Sequence, residues 1–193
     1  VATYRKIDAY HSKWSSTKSF GEMFDEGLTN EYENNEEFAA FVDHDSDNSE
    51  GSAVIDRLKS QLDTDYQYLF VLTNDEQNRI VCDAPEKQKV YFVGTMKIGT
   101  WELDLDADCG NLSHPESVQV DDPNNFFQHF RDTVDHWKSP GLIAFLPNGG
   151  QFKITSDDYL YYFRVRGNVP SVKYRFIQLW TENDGDRISQ LRE

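Results

Sequence analysis

The segments KVYFV at 89–93, YLYYFRVR at 159–166 and VKYRFIQLW at 172–180 decide the predicted fold. Each is dense in aromatic and β-branched side chains, which are the residue types enriched in strands. Thr100–Leu105 and Leu142–Leu146 have the same character, and turn residues such as Gly and Asn separate the later segments. The pattern predicts a mainly β protein, with an antiparallel β-sandwich or jelly-roll-like architecture.

Two or three helices are predicted as inserts in this β domain. Asp122 and Pro123 form a typical N-cap and first helical residue, and apolar side chains at helical spacing follow them. Ser52–Leu62 reads as an amphipathic helix, and Phe20–Leu28 has apolar residues at the same spacing. These inserts lie between groups of strands, as in a decorated sandwich and unlike regular βαβ alternation.

The domain organisation follows from chain length and from where the charge lies. The 193 residues predict a single domain over 1–193, with an acidic, partly helical region at 1–62 and the β-sandwich core at 63–182. Within these regions, Phe38–Val42 is predicted as a short strand and Tyr66–Thr73 as a strong one.

The acidic charge limits the classes of partner. The formal net charge is −15, and Gly21–Asp56 contains twelve Asp or Glu residues and no Lys or Arg. Such a field repels phosphate backbones and anionic membrane surfaces. No long uncharged apolar run is present. The sequence therefore predicts neither a nucleic-acid partner nor membrane insertion.

An alternating acidic run is the predicted metal site. Asp43, Asp45 and Asp47 stand at the first, third and fifth positions of a Ca²⁺-binding loop. Asn48 replaces the glycine of the EF-hand turn, and Val54 replaces its bidentate glutamate. The alternatives are a looser Ca²⁺ site and an exposed acidic loop. No other cofactor is predicted.

A partner or ligand surface is predicted where aromatic and acidic side chains combine. Its candidate residues are Trp101, Asp104, Asp106, Tyr161 and Trp180. In a strand, alternate carboxylates share one face, and exposed tryptophan or tyrosine rings can stack on a ligand. The other interpretation places the tryptophans in the core.

The sequence contains no complete catalytic motif. Serine nucleophile elbows, P-loops and dinucleotide fingerprints are absent, and neither Cys82 nor Cys109 has a local thiol-nucleophile signature. The two cysteines could pair or remain thiols. A non-enzymatic protein is predicted.

Lys89–Gly110 combines a Tyr-Phe strand with Gly99-Thr100-Trp101 and an alternating acidic segment, and Pro170–Asp186 ends in Trp180-Thr181 and an acidic turn. These segments resemble the projecting β-sandwich domains of small plant RNA virus coat proteins. The luteovirus and polerovirus readthrough extension is the nearest comparison, and tombusvirus-like projections are the broader one. The resemblance implies a domain on the virion surface that self-associates and binds a host or vector receptor.

Two other functions are compatible with the sequence. One is a secreted carbohydrate-binding β-sandwich module that recognises a glycan through exposed aromatic rings. The other is a carboxylate-based hydrolase, which requires a pair of acidic side chains in one apolar cleft.

Overall fold

A computed structural model of the protein describes residues 8–13, 17–44, 53–73, 81–83, 88–146, 150–169 and 171–191, without the side chains of 131–133. The chain divides into two compact units. Unit 1 comprises Val1–Asp75 and Pro85–Ser117, and unit 2 comprises Glu76–Ala84 and Val118–Glu193. A single domain over 1–193 stays a prediction.

Unit 1 is a layer of helices on a small antiparallel sheet. Its elements are α1 (Phe20–Asn34), α2 (Glu36–Asp43), α3 (Val54–Gln61), β1 (Tyr66–Thr73), β2 (Lys89–Lys97) and β3 (Leu103–Asp104). The strand order is β1-β2-β3, and the β1–β2 ladder runs from Tyr66 opposite Lys97 to Thr73 opposite Lys89. A register shift between Leu69 and Phe70 places one extra residue, Val93, in β2.

The start of α1 is capped by side-chain and backbone groups. The Ser19 hydroxyl accepts a hydrogen bond from the Glu22 backbone N–H, and the Glu22 carboxylate accepts one from the Ser19 N–H. This hydrogen bond lowers the pKa of Glu22. The Gly21 N–H donates to the Tyr10 carbonyl at 2.9 Å, which satisfies a further donor of the first turn.

The core of unit 1 lies between the three helices and one face of the sheet. Its fully buried side chains include Leu28, Phe38, Val42, Leu58, Val90 and Phe92. Gly27 of α1 allows the helix to lie close to β2, because a Cβ at this residue would stand 2.6 Å from Cγ2 of Val90.

Unit 2 pairs a β-hairpin with helices. Its elements are α4 (Pro123–Thr133), β4 (Gly141–Phe145), β5 (Gln151–Thr155), α5 (Asp157–Arg166), α6 (Val172–Thr181) and α7 (Gly185–Gln190). Phe130, Tyr159, Val165 and Leu179 are its buried large apolar side chains among the described residues. No helix within the described ranges has the length and apolar character to cross a membrane.

The predicted β-sandwich or jelly roll is wrong, because helices replace two of the segments that decided it. Residues 159–166 lie in α5 and residues 172–180 lie in α6. The Ser156 hydroxyl caps α5 at the Tyr159 N–H, and Gly167 ends the helix with a φ of 66°. Ser171 caps α6 at the Tyr174 N–H in the same way. These end signals outweigh the strand propensity of the aromatic side chains.

Two shorter strand predictions also fail, for different reasons. Phe38–Val42 lies in α2, where Asn35 caps the Phe38 N–H and the buried Phe38 and Val42 stand one helical turn apart. Of Thr100–Leu105, only Leu103–Asp104 pairs as a strand, because Trp101 adopts a φ of 61° in the preceding turn. The α3 and α4 helices and the strand Tyr66–Thr73 are confirmed.

The close approach of α1 to β2 at Gly27 predicts that replacing this helical glycine by alanine lowers the stability instead of raising it. Helix propensity alone would make Gly27→Ala stabilising by about 1 kcal/mol. Because the added methyl meets Val90, we expect a loss of about 1–2 kcal/mol in the free energy of unfolding. Urea denaturation followed by circular dichroism measures the difference. Gly185→Ala, which adds a methyl with no atom within 4 Å, is the matched control and should not destabilise.

Candidate functional site

An apolar groove of about 500 Å³ lies in unit 1 between α1, α3 and β1. Its helical wall consists of Phe20, Phe24, Ile55, Leu58, Lys59 and Leu62. Its strand wall consists of Tyr68, Leu69, Phe70 and Leu72. No residue of β2 lines it, so the groove lies at the β1 side of the sheet. Apolar concavities of this size are the usual places where proteins bind ligands and peptides.

Aromatic contacts hold the strand wall in place. The Phe24 and Phe70 rings meet edge to face with centroids 5.2 Å apart, and Phe70 contacts the buried Phe92 at 5.5 Å. Tyr68 contacts Phe92 at 6.3 Å, and its hydroxyl accepts a hydrogen bond from the Asp63 N–H at 3.0 Å. The strand wall of the groove is therefore held in position by the core of unit 1.

A network of three side chains joins the three helices of unit 1, two of which line the groove. The Tyr32 hydroxyl of α1 donates to Asp43 of α2 at 2.8 Å and accepts from Arg57 of α3 at 3.2 Å. Arg57 also pairs with the Asp43 carboxylate, and its guanidinium lies 4.4 Å from the centroid of the Tyr32 ring. The hydrogen bond with Tyr32 and the charge of Asp43 raise the pKa of Arg57, and burial partly offsets the increase.

The sheet edge beside the groove belongs to β1. Of the strands in the described ranges, only β2 pairs with β1. The sequence of β1 is YQYLFVLT, which contains no charged residue and no proline. Charged side chains and prolines are the usual features that protect an exposed edge strand from pairing.

The acidic charge of the protein is concentrated around this groove-bearing unit. Between Val1–Asp75 and Pro85–Ser117 there are 22 Asp or Glu residues and nine Lys or Arg residues, a net charge of −13 of the total −15. At the groove, Lys59 is paired with Asp56 at 3.0 Å, and both side chains are 63% exposed. The groove therefore presents apolar side chains inside a strongly negative unit.

A second cavity of unit 1 is polar and more open. It measures about 630 Å³ and is lined by residues of Glu31–Glu37 and Asn111–His114. Within the described ranges, no group of three or more His, Cys, Asp or Glu side chains is arranged to hold a metal ion. Of the predicted Ca²⁺ ligands, Asp43 contacts Tyr32 and Arg57, whereas Asp45 and Asp47 lie outside the described residues. The Ca²⁺ site stays a prediction.

The titratable groups of unit 2 include one His–Asp pair. His136 Nδ1 lies 3.8 Å from Asp158 Oδ2, and its ring stacks on Tyr162 with centroids 5.0 Å apart. Its Nε2 is buried and forms no hydrogen bond with the described residues. Burial raises the pKa of Cys82 in this unit, and it raises the pKa of Cys109 in unit 1 to about 12. Neither cysteine forms a disulfide.

The five predicted surface residues are divided between the two units. Trp101, Asp104 and Asp106 lie in unit 1, all exposed, at the β2–β3 turn, on β3 and just after it. Tyr161 of α5 and Trp180 of α6 lie in unit 2, and Trp180 is 66% exposed. A single surface composed of all five stays a prediction.

The sequence identified the walls of the groove separately but not the groove. The apolar faces of Phe20–Leu28 and Ser52–Leu62 were predicted, as was the strand Tyr66–Thr73. The missing information was which strand stands at the edge of the sheet. No sequence signal identifies β1 as the edge strand, because its uncharged sequence is equally typical of a strand inside a sheet.

Two viral proteins are similar to this chain over all or most of its length. It is 26% identical over 193 residues to an immediate-early protein ICP-46 homolog of Invertebrate iridescent virus 3, and 28% identical over 186 residues to the protein of the same name from Invertebrate iridescent virus 6. The alignments cover 100% and 93% of this chain but 38% of each relative. No family model and no solved structure matches the chain.

These similarities correct the resemblance to plant virus coat proteins. The relatives are named as immediate-early proteins of invertebrate viruses, not as coat proteins. One of the two segments that carried the resemblance, Pro170–Asp186, contains the helix α6 where a sandwich strand was expected. The predicted coat-projection function and the virion-surface location are therefore wrong.

The Tyr32–Asp43–Arg57 network predicts a marked effect of Arg57→Met. The change leaves the Asp43 carboxylate and the Tyr32 hydroxyl without their shared cation, so we expect a loss of about 1–2 kcal/mol in the free energy of unfolding. Lys59→Met on the same helix removes only an exposed pair and should change it by less than about 0.5 kcal/mol. Equal urea midpoints for the two variants would contradict a structural role for the network.

Proposed function

We propose that this chain is a protein-binding segment of an immediate-early viral protein and that it acts in the infected cell. The two relatives support the viral and immediate-early parts of the proposal by their names. The chain spans 38% of the length of each, so what the longer protein does is itself part of the proposal.

The apolar groove of unit 1 carries the protein-binding part of the proposal. The groove combines apolar side chains from two helices and one strand. Its concave shape suits the apolar side chains of another chain, and burying them supplies the free energy of association. The tyrosine and phenylalanine rings of the strand wall are typical of protein interfaces.

We further propose that the chain is not an enzyme. Raised pKa values keep the two cysteines as thiols at neutral pH, and the thiolate is the nucleophilic form. The His136–Asp158 pair is 3.8 Å apart, and the stacked Tyr162 ring occupies one face of the imidazole. These contacts favour a packing role for His136 over proton transfer.

The charge of unit 1 favours a basic protein over a nucleic acid. Unit 1 has 22 acidic and nine basic residues, so its net negative charge repels the phosphates of a nucleic acid that comes within the screening length of the solution. The same field attracts a basic partner and speeds its association.

Photo-cross-linking in infected cells tests this function. A benzophenone amino acid in place of Leu62, which lines the groove, is expected to give adducts that protease removes and nuclease does not. The same amino acid in place of Ile98 is the matched control, because Ile98 is 50% exposed in unit 1 but lies outside the groove.

In a separate sample, the benzophenone amino acid replaces Phe20, which also lines the groove. Adding Leu62→Asp should abolish the cross-link from position 20, whereas adding Ile98→Asp should leave it unchanged. Adducts that are equal at positions 62 and 98, or that only nuclease removes, would contradict the proposal.

A further inference from the structure

We propose that the partner is an extended segment that pairs as a new strand with the free edge of β1, with alternate apolar side chains in the groove and basic side chains between them. The proposal rests on the protein-binding function given above and specifies the kind of segment that the groove takes. Four features of unit 1 support it: the orientation of the peptide groups of β1, the amino-acid composition of β1, the position of the groove next to β1, and the net negative charge of the unit.

Every second residue of β1 has its backbone N–H and C=O groups directed away from β2, toward the free edge of the sheet. The Ile98 N–H donates to the Asp65 carbonyl at 2.8 Å, so this pair is hydrogen-bonded across the ladder. Hydrogen-bonded and non-hydrogen-bonded pairs alternate in an antiparallel ladder. Tyr68 and Thr95 form the third pair after Asp65 and Ile98, so they are a non-hydrogen-bonded pair. The peptide groups of Tyr68 point to the free edge.

The same direction holds beyond the register shift. The Phe92 N–H donates at 3.0 Å to the Ser113 carbonyl, on the side of β2 that faces away from β1. Phe92 stands opposite Phe70, so this pair is not hydrogen-bonded and the Phe70 peptide groups also face the free edge. By the same alternation, Leu72 continues the row.

The residues with edge-facing peptide groups also line the groove. Tyr68, Phe70 and Leu72 place their side chains in its strand wall. A strand added at this edge therefore lies next to the groove, and one face of it can supply apolar side chains to the space between β1, α1 and α3.

An extended segment satisfies β1 better than a helix does. A helix in the groove would bury apolar area but would leave the edge N–H and C=O groups of β1 without hydrogen bonds to the partner, and such groups are costly when covered. The uncharged sequence of β1 presents no lysine or proline that opposes a new strand.

Charge decides between a foreign strand and a second copy of this chain. Pairing β1 with β1 of another copy would bring together two units of −13 each, and their mutual repulsion opposes the contact. A segment with basic residues at the positions that point away from the groove gains from the same field.

Synthetic eight-residue peptides of equal composition test the proposal with the full chain. The first alternates valine and lysine. The second places its four valines at positions 1, 4, 5 and 8, which is helical spacing, and is the matched control for charge. Two more derivatives of the alternating peptide carry backbone N-methyl groups, either on the valines or on the lysines.

Fluorescence anisotropy measures the four affinities. We expect the alternating peptide to bind roughly tenfold more tightly than the helically spaced control. One of the two N-methylated peptides should lose roughly tenfold in affinity, while the other should bind as tightly as the unmethylated alternating peptide. The reason is that only every second residue of an added strand forms backbone hydrogen bonds with β1. Leu62→Asp should remove the preference for the alternating peptide, and Ile98→Asp should retain it.

Several results would overturn strand addition. They are tighter binding of the helically spaced peptide, equal affinities for all four peptides, equal effects of the two N-methyl series, no binding of any peptide, or a stable dimer of the unliganded chain that Phe70→Lys disrupts. Protein adducts from position 62 together with any of these results would leave the proposed function standing and remove only the extended geometry.

Discussion

The close contact of α1 with β2 is the constraint on which unit 1 depends. A side chain at residue 27 would require α1 or Val90 to shift, because its Cβ would stand 2.6 Å from a methyl of Val90. The resulting proximity buries Leu28 completely and brings Phe24 to Phe70, with ring centroids 5.2 Å apart. Since that ring pair joins the helical and strand walls, the groove owes its shape to this packing.

Apolar side chains line the groove of unit 1, whereas the unit as a whole is strongly acidic, and this combination bears on which partners the proposed site can take. The strand wall contains no charge, whereas the unit around it carries −13. Repulsion between copies limits self-association through the uncharged edge. A partner with basic residues escapes this repulsion, so the same charge that discourages one contact favours another.

Local signals in the sequence predicted α3 and α4, which have a clear apolar stripe at helical spacing, and misidentified the aromatic segments whose residues suit either a strand or a helix. Asp122 and Pro123 defined α4, and the stripe of Ser52–Leu62 defined α3. The aromatic run at 159–166 suited either a strand or a helix, and the cap at Ser156 decided in favour of a helix. The groove could not be predicted, because it depends on which strand lies at the sheet edge, and that is fixed by contacts between residues distant in sequence.

Amide hydrogen exchange of the unbound protein, measured by NMR, tests the free edge of β1 most directly. The Gln67 and Leu69 amides bond to β2 and should exchange slowly, whereas those of Tyr68 and Phe70 face the edge and should exchange much faster. An alternating pattern along β1 is the expected result. Uniformly slow exchange would show that another part of the protein already covers the edge, which would contradict an open strand-binding site.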